Sequence, residues 1–175
     1  MIKSCLISAA VMTAAMISAQ GQPSPPAQTS VTIGGKGLSV TYSAPSVKGR
    51  KMFGDGGRIS KDPTYPVWRA GANSATAFHT DADLDIKGLH VPAGDYTLFV
   101  QVTPEPWQLI INKQTGQWGL AYKKDQDLGR VPMDVTKPAS PIETLKITLS
   151  ETGPKAGKLQ IELENYVASV PFTVR

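Results

Sequence analysis

Tyr96-Thr97-Leu98-Phe99-Val100-Gln101-Val102 decides how the rest of the chain is read. Successive side chains of an extended strand point to opposite faces, so Tyr96, Leu98, Val100 and Val102 share one face while Thr97 and Gln101 share the other. Period-two alternation in a stretch rich in β-branched and aromatic residues is the pattern of a half-buried strand. The same beat returns downstream. Leu145, Ile147 and Leu149 alternate with Lys146 and Thr148, and Leu159, Ile161 and Leu163 alternate with Gln160, Glu162 and Glu164. Val170, Phe172 and Val174 alternate with Pro171 and Thr173; Pro171, lacking an N–H, marks an edge strand or a strand end. Further strands are expected over residues 38–43, 75–86, 107–112 and 118–122, punctuated by turn sequences such as Pro92-Ala93-Gly94-Asp95 and Thr152-Gly153-Pro154. No segment repeats apolar residues at helical spacing over three turns. About eight or nine antiparallel strands, each with one apolar face, must stack in two layers. The fold class is all-β, an antiparallel two-sheet sandwich or jelly roll.

Composition agrees with a folded protein: in 175 residues there are 18 Lys and Arg, 14 Asp and Glu, 2 His, 1 Cys, 16 Gly and 14 Pro, far from disordered or collagen-like usage. Residues 1–19 read as a signal peptide. Lys3 precedes the apolar run Leu6-Ile7-Ser8-Ala9-Ala10-Val11-Met12-Thr13-Ala14-Ala15-Met16-Ile17, and Ser18-Ala19 offers small residues for cleavage. The run falls short of the about 20 residues a membrane span needs, so the expected product is exported, periplasmic or extracellular, and not membrane-spanning. Cys5 precedes the apolar run and would be removed with it, which excludes disulfides, thiolate zinc sites and cysteine nucleophiles from the mature chain. Residues 20–30 hold three prolines and no large apolar side chain and are expected to be a flexible leader; residues 31–175 are expected to form a single sandwich domain.

Charge is concentrated in one place. Residues 45–67 show no alternation and too much length for an ordinary connection. From Lys36 to Arg69 the basic residues Lys36, Lys48, Arg50, Lys51, Arg58, Lys61 and Arg69 face only Asp55 and Asp62, a local net of +5, whereas residues 70–175 carry a net of −2. A long basic loop of this kind either attracts an anion or is simply a solvated basic stretch.

Four segments, Lys48-Gly49-Arg50-Lys51-Met52-Phe53-Gly54, Trp68-Arg69-Ala70-Gly71-Ala72-Asn73-Ser74-Ala75-Thr76, Pro92-Ala93-Gly94-Asp95-Tyr96-Thr97-Leu98-Phe99 and Trp118-Gly119-Leu120-Ala121-Tyr122, together resemble the bacterial secreted family catalogued as domain of unknown function 2911. The resemblance implies an exported, mostly β domain and transfers no activity or catalytic residue. The family pattern has a basic residue between the tyrosine and proline that here are Tyr42 and Pro45; this chain has Ser43 and Ala44, which weakens any anion site that used it.

The candidate ligand-binding residues are Arg50, Trp68, Arg69, Asn73 and Trp118. A guanidinium fork, an amide and aromatic walls beside Gly71 are the ingredients of a polar pocket. The competing reading has Arg50, Arg69 and Asn73 satisfying loop carbonyls. Trp107 heads the run Trp107, Leu109, Ile111 and belongs to a core face, while Trp68, Trp118 and Tyr122 have the aromatic faces that stack on sugar rings, with core packing an equal alternative for Trp118. His79, Asp81, Asp83 and Asp85 recur at period two on one expected strand face, but alternate residues lie about 6.5–7 Å apart, too far to share a metal ion, and Ile86 and Pro92 break an EF-hand spacing. His90, ahead of the Pro92 turn, reads as structural. No Gly-x-Ser-x-Gly, His-Glu-x-x-His, Walker or dinucleotide sequence occurs. The expected partner is an anionic small molecule or glycan, or an envelope component, with no cofactor, no metal and no nucleic acid. Two other readings stay open: a carboxylate-dependent hydrolase acting on carbohydrate through Asp81, Asp83 or Glu105, and a structural or assembly protein of the envelope.

Overall fold

The computed structural model describes residues 23–175, so the signal peptide expected over residues 1–19 lies outside the described residues. The strands are β1 (Pro26–Ile33), β2 (Lys36–Ser43), β3 (Val67–Trp68), β4 (Thr76–Thr80), β5 (Leu84–Ile86), β6 (Leu89–Val91), β7 (Gly94–Gln101), β8 (Gln108–Asn112), β9 (Asp127–Pro132), β10 (Asp134–Thr136), β11 (Ile142–Gly153), β12 (Ala156–Glu164) and β13 (Tyr166–Val174). One antiparallel sheet runs β1-β2-β4-β7-β8-β9, with β3 also on β7; the other runs β11-β12-β13-β5-β6, with β10 also on β13. The two pack face to face as a sandwich.

Period-two alternation fills the space between the layers. Leu38, Val40, Phe78, Tyr96, Leu98, Val100, Leu109 and Ile111 of the first sheet meet Leu145, Ile147, Leu149, Leu159, Ile161, Leu163, Val170 and Phe172 of the second, all buried. On β7 the opposite face is buried too. The segment after β8 folds over it: the Tyr122 ring lies 5.0 Å from that of Phe99, and Thr97 Oγ1 donates to the Gln114 carbonyl at 2.7 Å. Tyr122 is fixed in turn by donating to Asp127 Oδ2 at 2.7 Å.

The β11 edge is closed by hydrogen bonds from its own N–H groups, which blunts the free row that makes an edge strand sticky, and the β6–β9 side is closed by side-chain contacts. Along β11, Leu145 N donates to Pro45 O (2.9 Å), Ile147 N to the Tyr42 hydroxyl (3.0 Å) and Leu149 N to Thr29 Oγ1 (3.2 Å). On the other side Leu89 of β6 packs where a Cβ on Gly129 of β9 would sit, and Lys87 Nζ donates to Pro132 O of β9 at 3.1 Å.

Three expectations are corrected by these elements. β1 begins at Pro26, inside the stretch read as leader, because it pairs with β2 along its whole length, from Pro26↔Ser43 to Ile33↔Lys36. A ladder needs backbone more than apolar side chains, which composition does not report. The strand expected over 75–86 is two strands in different sheets; Thr80 Oγ1 bonds the Ala82 carbonyl at 2.7 Å and bends the chain across, so His79, Asp81 and Asp83 do not share a strand face. The strand expected over 118–122 is replaced by a turn over 118–121, closed by Ala121 N on Trp118 O at 2.8 Å. The connection over residues 44–66 is also more than a solvated loop. Met52, Phe53 and Ile59 are buried, and Phe53 packs on Trp68, Trp107 and Tyr166 at centroid distances of 5.3, 5.0 and 4.9 Å. Trp107 is itself in the core.

Replacing Tyr42 by phenylalanine strands the buried Ile147 N–H, and an unsatisfied buried donor costs about 1–3 kcal/mol. Urea unfolding of Tyr42→Phe should show that loss with an unchanged m-value, and Thr29→Val a smaller one.

Candidate functional site

The site grows from an interruption in the first sheet. β3 pairs Val67↔Gln101 and Trp68↔Val100, and β4 resumes on the same side of β7 at Thr76↔Leu98. Seven residues, 69–75, therefore stand opposite the single residue Phe99 and must leave the sheet. Their path is held at both ends. Thr76 Oγ1 donates to the carbonyls of Arg69 (3.1 Å) and Ala70 (2.9 Å), while Ala75 N and Gly119 N bond Gln117 O (3.0 Å) and Asn73 O (2.9 Å). The bend uses left-handed backbone at Ala70 (φ 46°) and Asn73 (φ 60°), a region asparagine tolerates and alanine does not favour. Gly71 is required by contact: a Cβ there would sit 2.8 Å from Thr76 Oγ1.

The folded connection over residues 44–66 supplies the other wall. Arg50, Arg58, Asp62, Arg69, Asn73 and Trp118 line one cleft of about 230 Å3, floored by Trp68. All five sequence candidates are in this cleft, with unequal parts. Trp68 is 3% exposed, a floor stacked edge-on to Phe53 and closed to a ligand's flank, whereas Trp118, 55% exposed, stands at the rim. Arg50 is partly committed, donating through Nε to Val47 O (2.9 Å) and through Nη2 to Ser46 O (2.6 Å). Asn73 contributes its backbone carbonyl, which accepts from Gly119 N and, at 3.4 Å, from Arg69 Nη1.

Arg58, Asp62 and Gly119 were not singled out from the sequence as site residues. Asp62 Oδ1 accepts from Arg58 Nη1 at 3.0 Å, and Asp62 Oδ2 lies 3.9 Å from Arg69 Nη2. The Arg69 side chain is only 11% exposed. Burial pulls its pKa below the usual arginine range, outweighing the pull of Asp62 in the other direction; Arg58 adds to the lowering. Two guanidinium groups thus share one carboxylate, and the more buried of them is incompletely compensated. Gly119 makes this possible, because a Cβ on it would collide with the Arg69 side chain and come within 2.7 Å of Asn73 O.

Residues 24–172 match the family described as Protein of unknown function (DUF2911). The chain belongs to that family. No curated protein and no solved structure matches. The DUF2911 match takes in every cleft residue, and since the family description assigns no activity, the chemistry has to be read from the side chains themselves.

The carboxylates considered for hydrolysis in this DUF2911 chain do not converge on one another. Asp83 Oδ1 accepts from Ala93 N at 2.9 Å, and Glu105 lines a separate hollow with Trp107 and Met133. Asp81 is engaged by His79 Nε2 (3.0 Å) and Gly37 N (3.0 Å), and Asp95 takes the other ring nitrogen of His79 at 2.8 Å. No group of three or more His, Cys, Asp or Glu side chains is arranged to hold a metal among the described residues. No described helix is long and apolar enough to cross a membrane.

Hydrogen bonds to Asp81 and then Asp95 hold the His79 imidazolium and raise its pKa above the ordinary 6.5. The stabilisation is therefore complete below 6.5 and disappears as pH rises through the raised value. NMR titration should place His79 above a free imidazole, and His79→Gln should flatten the decline in melting temperature on the alkaline side of 6.5. At the cleft, Gly119→Ala should cost about 1–3 kcal/mol by overpacking and should displace the Arg69 resonances in an NMR spectrum.

Proposed function

We propose that this protein is an exported, non-catalytic binding domain whose cleft between residues 44–66 and 69–75 takes an anionic group, free or carried on an envelope component. The observation that carries the reading is the arrangement around Asp62: two arginines on one carboxylate, with Arg69 desolvated. An anion entering the cleft supplies the missing negative charge and accepts from guanidinium N–H groups that have no short bond of their own. Arg69 makes a single long hydrogen bond, to Asn73 O at 3.4 Å, so most of its fork is available. Arg50 adds a third positive charge and, among the described residues, has no carboxylate partner. Export rests on the sequence of residues 1–19.

Inorganic phosphate and sulfate should raise the melting temperature of the protein, since a ligand at about 100 times its Kd adds about 2.7 kcal/mol to folding. Arg69→Met should abolish the shift while leaving ligand-free stability equal to or above that of the wild type, because an apolar isostere removes an undercompensated charge. An equal shift in wild type and variant, or none in either, would refute the reading.

A further inference from the structure

The cleft does not end at Arg50. A second, larger hollow of about 470 Å3 adjoins it, lined by Ser24, Ser46, Lys48 and Arg50 together with Pro23, Pro25 and Ala44. Ser24 and Arg50 belong to both hollows, so the two form one groove with Arg50 on the divide. Positive charge is distributed along it. Lys48 lines the larger hollow, Arg58 and Arg69 line the smaller and Arg50 lines both, and Asp62 is the single carboxylate lining either hollow among the described residues. At the inner end, the exposed Trp118 heads the turn whose Gly119 lies against Arg69.

Building on the anion reading above, we infer that the groove takes an extended acidic oligosaccharide, with one acidic group at Arg58 and Arg69, a second at Lys48 and Arg50, and a sugar face on Trp118. The ligand class follows from three features. A row of four cations running from one hollow into the next, Lys48, Arg50, Arg58 and Arg69, suits a chain with repeated charges better than a single small anion. An exposed indole beside hydrogen-bonding groups suits a ring with one C–H face and a hydroxylated edge. The larger hollow is lined by serines, prolines and one alanine, with no leucine, isoleucine, valine or phenylalanine to receive an acyl chain. The hollows of about 470 and 230 Å3 together fall in the range of about 300–1,000 Å3 that holds multi-ring ligands.

Trp118 also provides the measurement, since Trp68 and Trp107 are 3% and 4% exposed and Trp118 is 55% exposed. Acrylamide quenching of tryptophan fluorescence should thus report mainly on Trp118. A galacturonate trisaccharide should protect it and should bind about tenfold or more tighter than galacturonate itself, as expected when two contacts are linked. Its neutral methyl ester should bind far more weakly. Trp118→Ala should weaken trisaccharide binding, followed by calorimetry; Lys48→Gln should weaken it too, yet keep the phosphate-induced thermal shift. If phosphate still shifts the wild type but the trisaccharide binds no tighter than the monosaccharide, or the methyl ester binds equally well, the extended ligand is wrong and the anion cleft survives. If vesicles of anionic phospholipid are retained by the Lys48 and Arg50 end while the trisaccharide is not, the occupant is a lipid surface and the inference fails. If phosphate and trisaccharide both leave a folded wild type unaffected, the anion reading falls with it.

Discussion

Asp62 sets the balance of charge on which the site depends. Its carboxylate is nearly buried, and a buried charge without a partner is strongly destabilising. Arg58 answers it at hydrogen-bond distance, leaving Arg69 at 3.9 Å with only a share of the same counter-charge. In water that deficit would be small; in a cleft floored by indole it is amplified by the low local polarizability. Around Asp62 the two guanidinium groups outnumber the carboxylate by one, and Arg50 raises the excess of positive charge lining the cleft to two.

Holding such an arrangement needs rigid supports, and the sandwich provides them from three directions. β7 anchors both ends of the excursion over residues 69–75, the core aromatics Phe53, Trp68, Trp107 and Tyr166 seat the residues 44–66 connection, and the turn at Trp118 and Gly119 closes the outer side. The connection itself is fixed from the second sheet. Glu164 Oε1 accepts from Met52 N at 3.0 Å, and Val47 N donates to Glu143 O at 2.7 Å, so both layers contribute to placing Arg50 and Arg58. A basic stretch that would repel itself in isolation is kept in one shape by main-chain bonds and apolar anchors.

The layered architecture was legible from alternation alone, because Leu98 and Val100, or Leu159 and Ile161, announce which face they bury. The two-sided burial of β7 was not, since Phe99 finds its cover in Tyr122, more than twenty positions away in the chain. The five candidate residues were found by residue type: guanidinium, amide and indole near a glycine. Their differing parts could not be, because nothing in the string says that Trp68 points inward and Trp118 outward. Asp62 and Gly119 escaped for a similar reason. One acts through a distance to Arg69 and the other through a missing Cβ, and both are properties of space that no spacing in sequence encodes.

The seven-against-one excursion at Phe99 has a further implication for how this surface changes over time. Because the rungs on either side of it remain in place on β7, residues can be added to or taken from the excursion without slipping the register of any strand. The scaffold and the lining of the cleft are thereby uncoupled at the level of the backbone. A change in the length of this segment would leave the two layers beneath it as they are.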